Sequence, residues 1–461
     1  MKKNNQLNEL IYEYYESRIL FGVYRYGERL NSVPQICATF GLARNTVQIA
    51  LDKLEKNGYI RREKRKTARV IYQGTESVFR ENAAKFFVPR KNGLLDLNHN
   101  GNLMFTSIWE KGLQNIKENT KGGTEGEQEP ADTAASEPTK LYSDVINTFH
   151  NGLMLSLFWQ CLCYLSYFYP PKDGRKANYV QDDLLVEGKA NCLKQETDAY
   201  YMHMFQKVLE FVESISEDCQ FGNVDQIPFT WVIYRRRPQV RYTLASRIIR
   251  EILWEHYPVG SYLPSLPQMA EQYQVSVITV RRTLELLHAL GVTKTCAGIG
   301  TMVCLEPIEP EIINKPDIQG NILLHGEAIQ ILSLTVYNVT VFTLESITED
   351  EKISLLQKIG GLHDKNSSIL CMEALLDFIS SKCPSAFIRE CYGRLSELIA
   401  WGYIFSAILK GTGKWVDYDL TGFISQLETE LKTGNFTAFA RLWYIADFAM
   451  LVIPDSDGCL R

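Results

Sequence analysis

The chain has 461 residues, 45% of them apolar, and a formal net charge of -5. That size and apolar content suffice for several packed cores, and the negative balance excludes a uniformly basic surface while leaving room for a local one. The 11 cysteines are odd in number and lack paired spacing, which gives no disulfide framework and fits a reducing compartment.

The N-terminus, MKKNNQLNELIYEYY, carries charge but no apolar run or small-residue cleavage site. No signal peptide is read there, and a cytoplasmic location is expected. Leu7, Leu10, Ile11 and Tyr14 space a first helix. Val33, Ile36, Cys37 and Phe40 space a second, with Ser32 and Gln35 forming a capping box at its start. After a tight turn at Gly41, Val47, Ala50, Leu51 and Leu54 mark a third helix, and Gly58 stands at its end. YIRREKRKTARVIY then reads as two short strands around a basic turn. Three helices and a basic hairpin make a winged helix-turn-helix over residues 1–73.

The chemistry of that module points to double-stranded DNA. A helix fits the major groove and offers side chains to base edges. The third helix offers Arg44, Asn45, Thr46 and Gln48, and the hairpin offers Arg61, Arg62, Lys64, Arg65, Lys66 and Arg69 to phosphates or the minor groove, with Ser32 as a further candidate DNA contact. Residues 1–73 hold 14 Lys and Arg against 7 Asp and Glu, a net +7 inside an acidic chain. A merely solvated helix face predicts mixed signs instead.

Residues 74–235 read as a helical domain. Within it, a polar stretch near 115–140 (NTKGGTEGEQEPADTAASEPTK, 119–140) has little to bury and is expected to be disordered. Residues 145–171 contain no Asp, Glu, Lys or Arg, a length near that of a membrane span. A buried helix or helix pair is expected there, with no membrane. A single span would put the two flanking modules on opposite sides, and a hairpin of spans needs roughly twice the apolar length. Phe158, Trp159, Tyr164, Tyr167, Phe168 and Tyr169 cluster there as core residues or the lining of a small-molecule pocket. Tyr200, Met204, Lys207, Val208 and Phe211 are read along one side of a later helix.

Residues 241–305 repeat the first module at an offset of 233 positions. Gly27, Leu30, Ser32, Pro34 and Gln35 meet Gly260, Leu263, Ser265, Pro267 and Gln268. Thr46, Val47, Leu51, Leu54 and Gly58 meet Thr279, Val280, Leu284, Leu287 and Gly291. Glycine, proline and threonine matches go beyond chance agreement of apolar stripes and mark an internal duplication. The second copy carries 6 basic and 4 acidic residues, and Val277 stands where the first has Arg44. Thr279, Arg281 and Arg282 remain as candidate DNA contacts. Weaker DNA binding is expected of it, with a scaffold or dimerisation role as the other reading. Residues 306–461 form a second helical block, an effector or dimerisation domain, with helices in SSILCMEALLDFISSKC, IRECYGRLSELIAWGYIFSAIL and FTAFARLWYIADFAMLVI.

YPVGSYLPS, TVRRTLELLHALG and GIGTMV in the second copy resemble the winged-helix domain of the GntR family of bacterial transcriptional regulators. YRYGERLNS and NTVQIALDKLEKNGYI in the first are similar to it nearly as closely. The resemblance implies an N-terminal module that binds operator DNA as a dimer and a separate domain that senses a small metabolite. It further implies that Arg44 holds the recognition-helix arginine position, Thr46 a backbone-contacting position, and Gln48 the place of a second arginine. The first copy departs in the wing, where Arg65-Lys66-Thr67 replaces the family's Gly-x-Gly; the second keeps Gly298 and Gly300.

The expected fold is therefore mainly α, with two winged helix-turn-helix (α+β) modules, each followed by a largely helical domain. No phosphate loop, HExxH or nucleophile elbow occurs, and the seven histidines are dispersed. Neither catalysis nor a cofactor nor a metal site is expected. A DNA-binding regulator is the first reading, as a homodimer or an internal pseudo-dimer. A non-catalytic adaptor that uses winged helices for protein contacts is the second.

Overall fold

Helix α1 (Leu7–Leu20) forms where the apolar spacing predicts it and buries Leu10, Ile11, Tyr14, Tyr15 and Ile19, the stripe of a helix packed on a core. The computed structural model describes residues 7–121, 137–166, 169, 187–216, 224–234, 239–306, 310–363, 370–409 and 420–445. At the head of α2 (Val33–Phe40), the Ser32 N–H donates to Gln35 Oε1 at 2.8 Å and the Gln35 N–H donates to Ser32 Oγ at 3.4 Å. Two of the unpaired donors at this helix start are thereby satisfied. Helix α3 (Arg44–Lys56) buries Val47, Ala50, Leu51 and Leu54 and packs against α1. Strands β1 (Ile60–Arg61) and β2 (Arg69–Val70) pair antiparallel, with Ile60 and Val70 inward and Arg61 and Arg69 outward. Arg29 bridges to Arg69 as a further edge.

The second module is α10 (Gln239–Leu253), α11 (Leu266–Gln272), α12 (Val277–Ala289), β3 (Thr293–Cys296) and β4 (Gly300–Val303). The offset of 233 read in the sequence recurs in its hydrogen bonds. The Gly27 N–H donates to Val70 O, as that of Gly260 does to Val303 O. The Val70 N–H donates to Glu28 O, as that of Val303 does to Ser261 O. The Tyr59 N–H donates to Leu54 O, as that of Val292 does to Leu287 O. Left-handed backbone follows the same register: Gly22 with Glu255, Gly41 with Gln274, Gly58 with Gly291, and Arg65 with Gly298. The duplication thus preserves backbone geometry even where the glycine has been lost.

The remaining elements among the described residues are helical. In the first half stand α4 (Glu76–Phe87), a 3-10 turn at Val88–Arg90, α5 (Lys91–Asn100), α6 (Asn102–Lys121), α7 (Glu137–Asn147), α8 (Gly152–Tyr164) and α9 (Glu187–Ser216). In the second stand a 3-10 turn at Pro310–Asn314, α13 (Pro316–Ser346), α14 (Glu349–Gly360), α15 (Cys371–Lys382), α16 (Ala386–Leu409), α17 (Thr421–Thr433) and α18 (Phe436–Ile445). Two compact units result. One runs to Trp231; the other takes up Val232–Tyr234 and the chain from α10 onward. Each unit contains one winged module and one helical block.

Two expectations change. The polar stretch near 115–140 is helical at both ends, to Lys121 in α6 and from Glu137 in α7, while residues 122–136 lie outside the described residues. Polar composition limits what a segment can bury, yet a polar turn can still extend a helix that is anchored elsewhere. In α9 the buried line is Thr197, Met204, Val208, Val212 and Ile215, with Lys207 exposed and Tyr200 and Phe211 at the margin. The uncharged stretch from 145 divides into the end of α7 and the 13-residue α8, too short to span a bilayer. Helix α8 buries Leu153, Met154, Leu157, Phe158, Trp159, Cys161 and Leu162. Tyr167 and Phe168 of the aromatic cluster lie outside the described residues.

The 31-residue α13 is not anticipated by the sequence reading. Among the described residues it is the one helix long and apolar enough to cross a membrane, by length and composition alone. It also buries Asn321, His325, Thr335, Thr340 and Thr343 and packs on α16 and α18. The Thr335 and Tyr392 hydroxyls are hydrogen-bonded to each other at 3.0 Å, and His325 Nδ1 lies 3.1 Å from Leu398 O. Gly402 admits the His325 ring, since a Cβ there would overlap it. These contacts identify α13 as the core helix of its unit.

Within each unit the module is joined to its helical block by specific packing. In the first, the Phe40 ring of α2 lies 4.5 Å from Trp159 of α8, and Cys163 Sγ donates to Leu10 O at 3.8 Å. In the second, α10 lies on α16, where Ser246 Oγ donates to Glu397 O at 2.7 Å and Thr243 Oγ1 to Glu397 Oε2 at 2.9 Å. Arg250 Nε donates to Glu373 Oε2 at 2.8 Å. Burial pushes the Glu373 carboxyl up, and Arg250 beside it pulls in the opposite direction.

Candidate nucleic-acid interface

Arg44 is the first residue of α3 and Ala43 caps the helix without a side-chain bond. Arg44, Asn45 and Gln48 are exposed, one apart and then three apart, on the face opposite Val47, Ala50 and Leu54. Side chains near the start of such a helix are the ones that reach base edges when it enters the major groove. Thr46 departs from the expected face. It is 2% exposed, because its place beside Val47 and Ala50 turns it to the core side of a 3.6-residue period. Ser32 keeps its hydroxyl in the capping box of α2.

The wing divides its cations into two kinds. Arg62 folds back onto α3, where Nε donates to Glu55 Oε2 at 2.9 Å, the N–H to Glu55 Oε1 at 2.7 Å, and the guanidinium also pairs with Asp52. The Arg62 backbone N–H, with the guanidinium behind it, holds the Glu55 carboxyl below the usual carboxylate range against the opposing effect of burial. Lys66 pairs with Glu63 at 2.7 Å. Arg61, Lys64, Arg65 and Arg69 are exposed and, among the described residues, make no ion pair. Arg65 stands at the turn with φ +64. So four of the six expected wing cations are open to a phosphate, and Arg62 acts as a clamp between wing and helix.

Arg29 is a cation the sequence reading missed. It is exposed, bridges to Arg69, and donates through Nη1 to Thr67 O at 3.3 Å. The signal was its position two residues after Gly27 in YGERL, on the strand edge that flanks the hairpin.

The second module presents another surface on the same backbone. Arg281 and Arg282 are exposed, and Thr279 Oγ1 lies 2.8 Å from Ser276 Oγ at the head of α12. Around them, however, Val277 and Ile278 are 38% and 60% exposed, and Ile299 at the wing turn is 71% exposed. Lys294 on its wing is paired with Glu306 at 2.5 Å. At the positions where the first copy carries Arg44, Asn45 and Lys66, the second carries valine and isoleucine.

Residues 7–70 and 241–303 match the family described as bacterial regulatory proteins, gntR family. The chain is similar to the probable transcriptional regulator PhnF of Escherichia coli (strain K12), with 28% identity over 86 residues, 19% of this chain and 36% of that protein. It thus spans about a third of that relative's length. Among solved structures, it is similar to Streptococcus agalactiae GntR at 17% identity, over 46% of this chain and 98% of that one, with a TM-score of 0.22. It is similar to E. coli McbR/YncC at 14% identity, over 47% of this chain and 98% of that one, with a TM-score of 0.25. TM-scores so low do not bear on the arrangement of the helical blocks.

Proposed function

By its two winged modules the chain belongs to the gntR family of bacterial regulatory proteins, and from that premise we propose that it is a sequence-specific, DNA-binding transcriptional regulator. The observation that carries this reading is the first module's surface: Arg44, Asn45 and Gln48 exposed along α3, beside unpaired Arg61, Lys64, Arg65 and Arg69. The helix reads base edges, and the wing and Arg29 neutralise phosphates. The second module, with Val277, Ile278 and Ile299 exposed, has the weaker DNA role and favours protein contact or scaffolding.

A small-molecule effector acts, on this reading, through the first helical block. Helix α8 carries Phe158 on a pocket wall and the adjacent Trp159 against Phe40 of α2. Leu155 of the same helix lies close to Gly41, at the turn before α3. A ligand that shifts α8 therefore shifts the support of the reading helix. Such a shift requires different affinity for the two positions of α8.

Anisotropy titration of the full chain with random duplex DNA, from low to moderate salt, tests the reading. Expected is binding whose logarithm falls linearly with the logarithm of salt concentration. A chain that fails to bind random DNA at low salt is not a DNA-binding regulator, and the adaptor reading then takes its place.

A further inference from the structure

A cavity of about 160 Å³ lies in the first unit among α5, α6, α7, α8 and α9. Its walls are aromatic: Phe105, Tyr142, Phe158, Tyr201 and Phe205. Tyr142 and Phe158 are stacked, their centroids 5.6 Å apart, and Tyr201 meets Tyr142 edge-on at 5.8 Å. The polar side chains on the lining include Asp198 and Asn98, and no Lys or Arg is among the lining residues. Asn98 Oδ1 is buried with no hydrogen-bond partner, an arrangement that costs stability unless something donates to it. The Tyr142 phenol is pushed up by burial first and by the Asp198 charge second, and Asp198 lies on the same pocket lining.

Those groups select one sign of charge. Aromatic faces carry negative potential and attract cations. The Asp198 carboxylate and the Asn98 carbonyl accept hydrogen bonds and repel an anion. Lys194 pairs with Asp198 at 2.9 Å from the preceding turn. That pair is part-exposed and contributes little, so a ligand ammonium can replace it. Size narrows the choice further. An apolar cavity of roughly 150 Å³ admits benzene, which limits the occupant to one ring or a short alkyl body.

We propose that this pocket binds an organic cation, an ammonium group on a single ring or short alkyl chain, with its charge at Asp198 and Asn98 and its body among Tyr142, Phe158 and Phe205. The proposal rests on the reading of this helical block as the effector-sensing part of the chain and names the ligand class for it.

The test titrates the full chain with phenethylammonium and butyltrimethylammonium, and with 2-phenylethanol and phenylacetate as neutral and anionic counterparts. Calorimetry and the fluorescence of Trp109 and Trp159, which border Tyr142 and Phe158, report binding. Expected is binding of at least one cation, about tenfold or more tighter than 2-phenylethanol, and none of phenylacetate. Asp198→Asn lowers cation affinity about tenfold and leaves 2-phenylethanol binding alone. Asn98→Leu, which removes the unpartnered acceptor, also weakens the cation without lowering the melting temperature. Equal binding of alcohol and ammonium, no binding of either cation, or unaltered cation affinity in both variants overturns the proposal. DNA affinity measured in the same samples separates the two readings. Selective cation binding with unchanged DNA affinity overturns ligand control but leaves the cation site standing. DNA binding with no cation binding overturns the cation site alone.

Discussion

At the scale of single residues, the first module separates exposed groups, the expected readers of DNA, from groups that hold the fold. Arg44 and Gln48 are exposed on α3 and have base edges as their expected partners. Arg44→Ala and Gln48→Ala are each expected to weaken binding to the specific site by about 1–3 kcal/mol, with less effect on random DNA. Neutralising Arg61, Lys64 and Arg65 together is expected to weaken both and to reduce the salt slope by about 0.9 for each phosphate no longer neutralised. Parallel titrations of operator and random duplex check this, and an unchanged slope in the triple variant removes the wing from the interface. Arg62 belongs to the other class, because Glu55 and Asp52 hold it. The Glu55 carboxyl is lowered in the folded chain, so its stabilisation is present above the unfolded value of about 4.3 and fades as pH falls through the lower folded value. The clamp on the wing is expected to loosen as the pH falls below about 4. Hydrogen exchange at the Arg62 amide, bonded to Glu55 Oε1 at 2.7 Å, will speed up there, whereas a flat profile rules the clamp out.

Elements are governed by backbone geometry that the two copies share. The wing turn needs left-handed backbone in both, φ +64 at Arg65 and φ +75 at Gly298. Glycine takes that conformation freely, while other L-residues bear a cost of about 1 kcal/mol. Arg65→Gly is therefore expected to stabilise the first module by up to about 1 kcal/mol while weakening DNA binding, and Gly298→Ala to destabilise the second by about as much. Nothing lies within 4 Å of a Cβ at Gly298, so the loss isolates the backbone effect from packing. Denaturant unfolding measures both. A destabilised Arg65→Gly variant would show that the arginine side chain makes a structural contact that outweighs its strain. An arginine kept at a strained turn fits a role in binding, since the fold gains nothing from it there.

For the whole molecule, the question is how many chains occupy one operator. The second copy keeps the backbone of a DNA reader but exposes Val277, Ile278 and Ile299 and pairs its wing lysine with Glu306. A chain with one strong reader gains a two-fold site by self-association. Two chains per palindromic operator are expected, with Arg281→Ala much less damaging than Arg44→Ala. Light scattering of the free protein and of its saturated DNA complex checks this. One chain per operator, with the two substitutions equally damaging, would assign the two-fold role to the internal repeat instead.

The sequence by itself determined the two modules. Their stripes, capping boxes and glycine stops are local, and local hydrogen bonding and a 3.6-residue period suffice to fix them. The offset of 233 was legible for the same reason, as glycine, proline and capping residues mark backbone geometry directly. What only the tertiary structure decided depends on partners distant in the chain. Thr46 looked exposed until α3 was seated on its core, and Arg62 looked like a phosphate contact until the wing brought it to Glu55 and Asp52. Helix α13 escaped notice because its buried Asn321, His325 and threonines blur the apolar stripe; Thr335 and His325 find their partners in Tyr392 and Leu398, more than fifty positions away. The aromatic pocket needed five helices to gather Asn98, Tyr142 and Asp198. Packing at that distance depends on which faces meet, and periodicity within one segment carries no record of the face opposite.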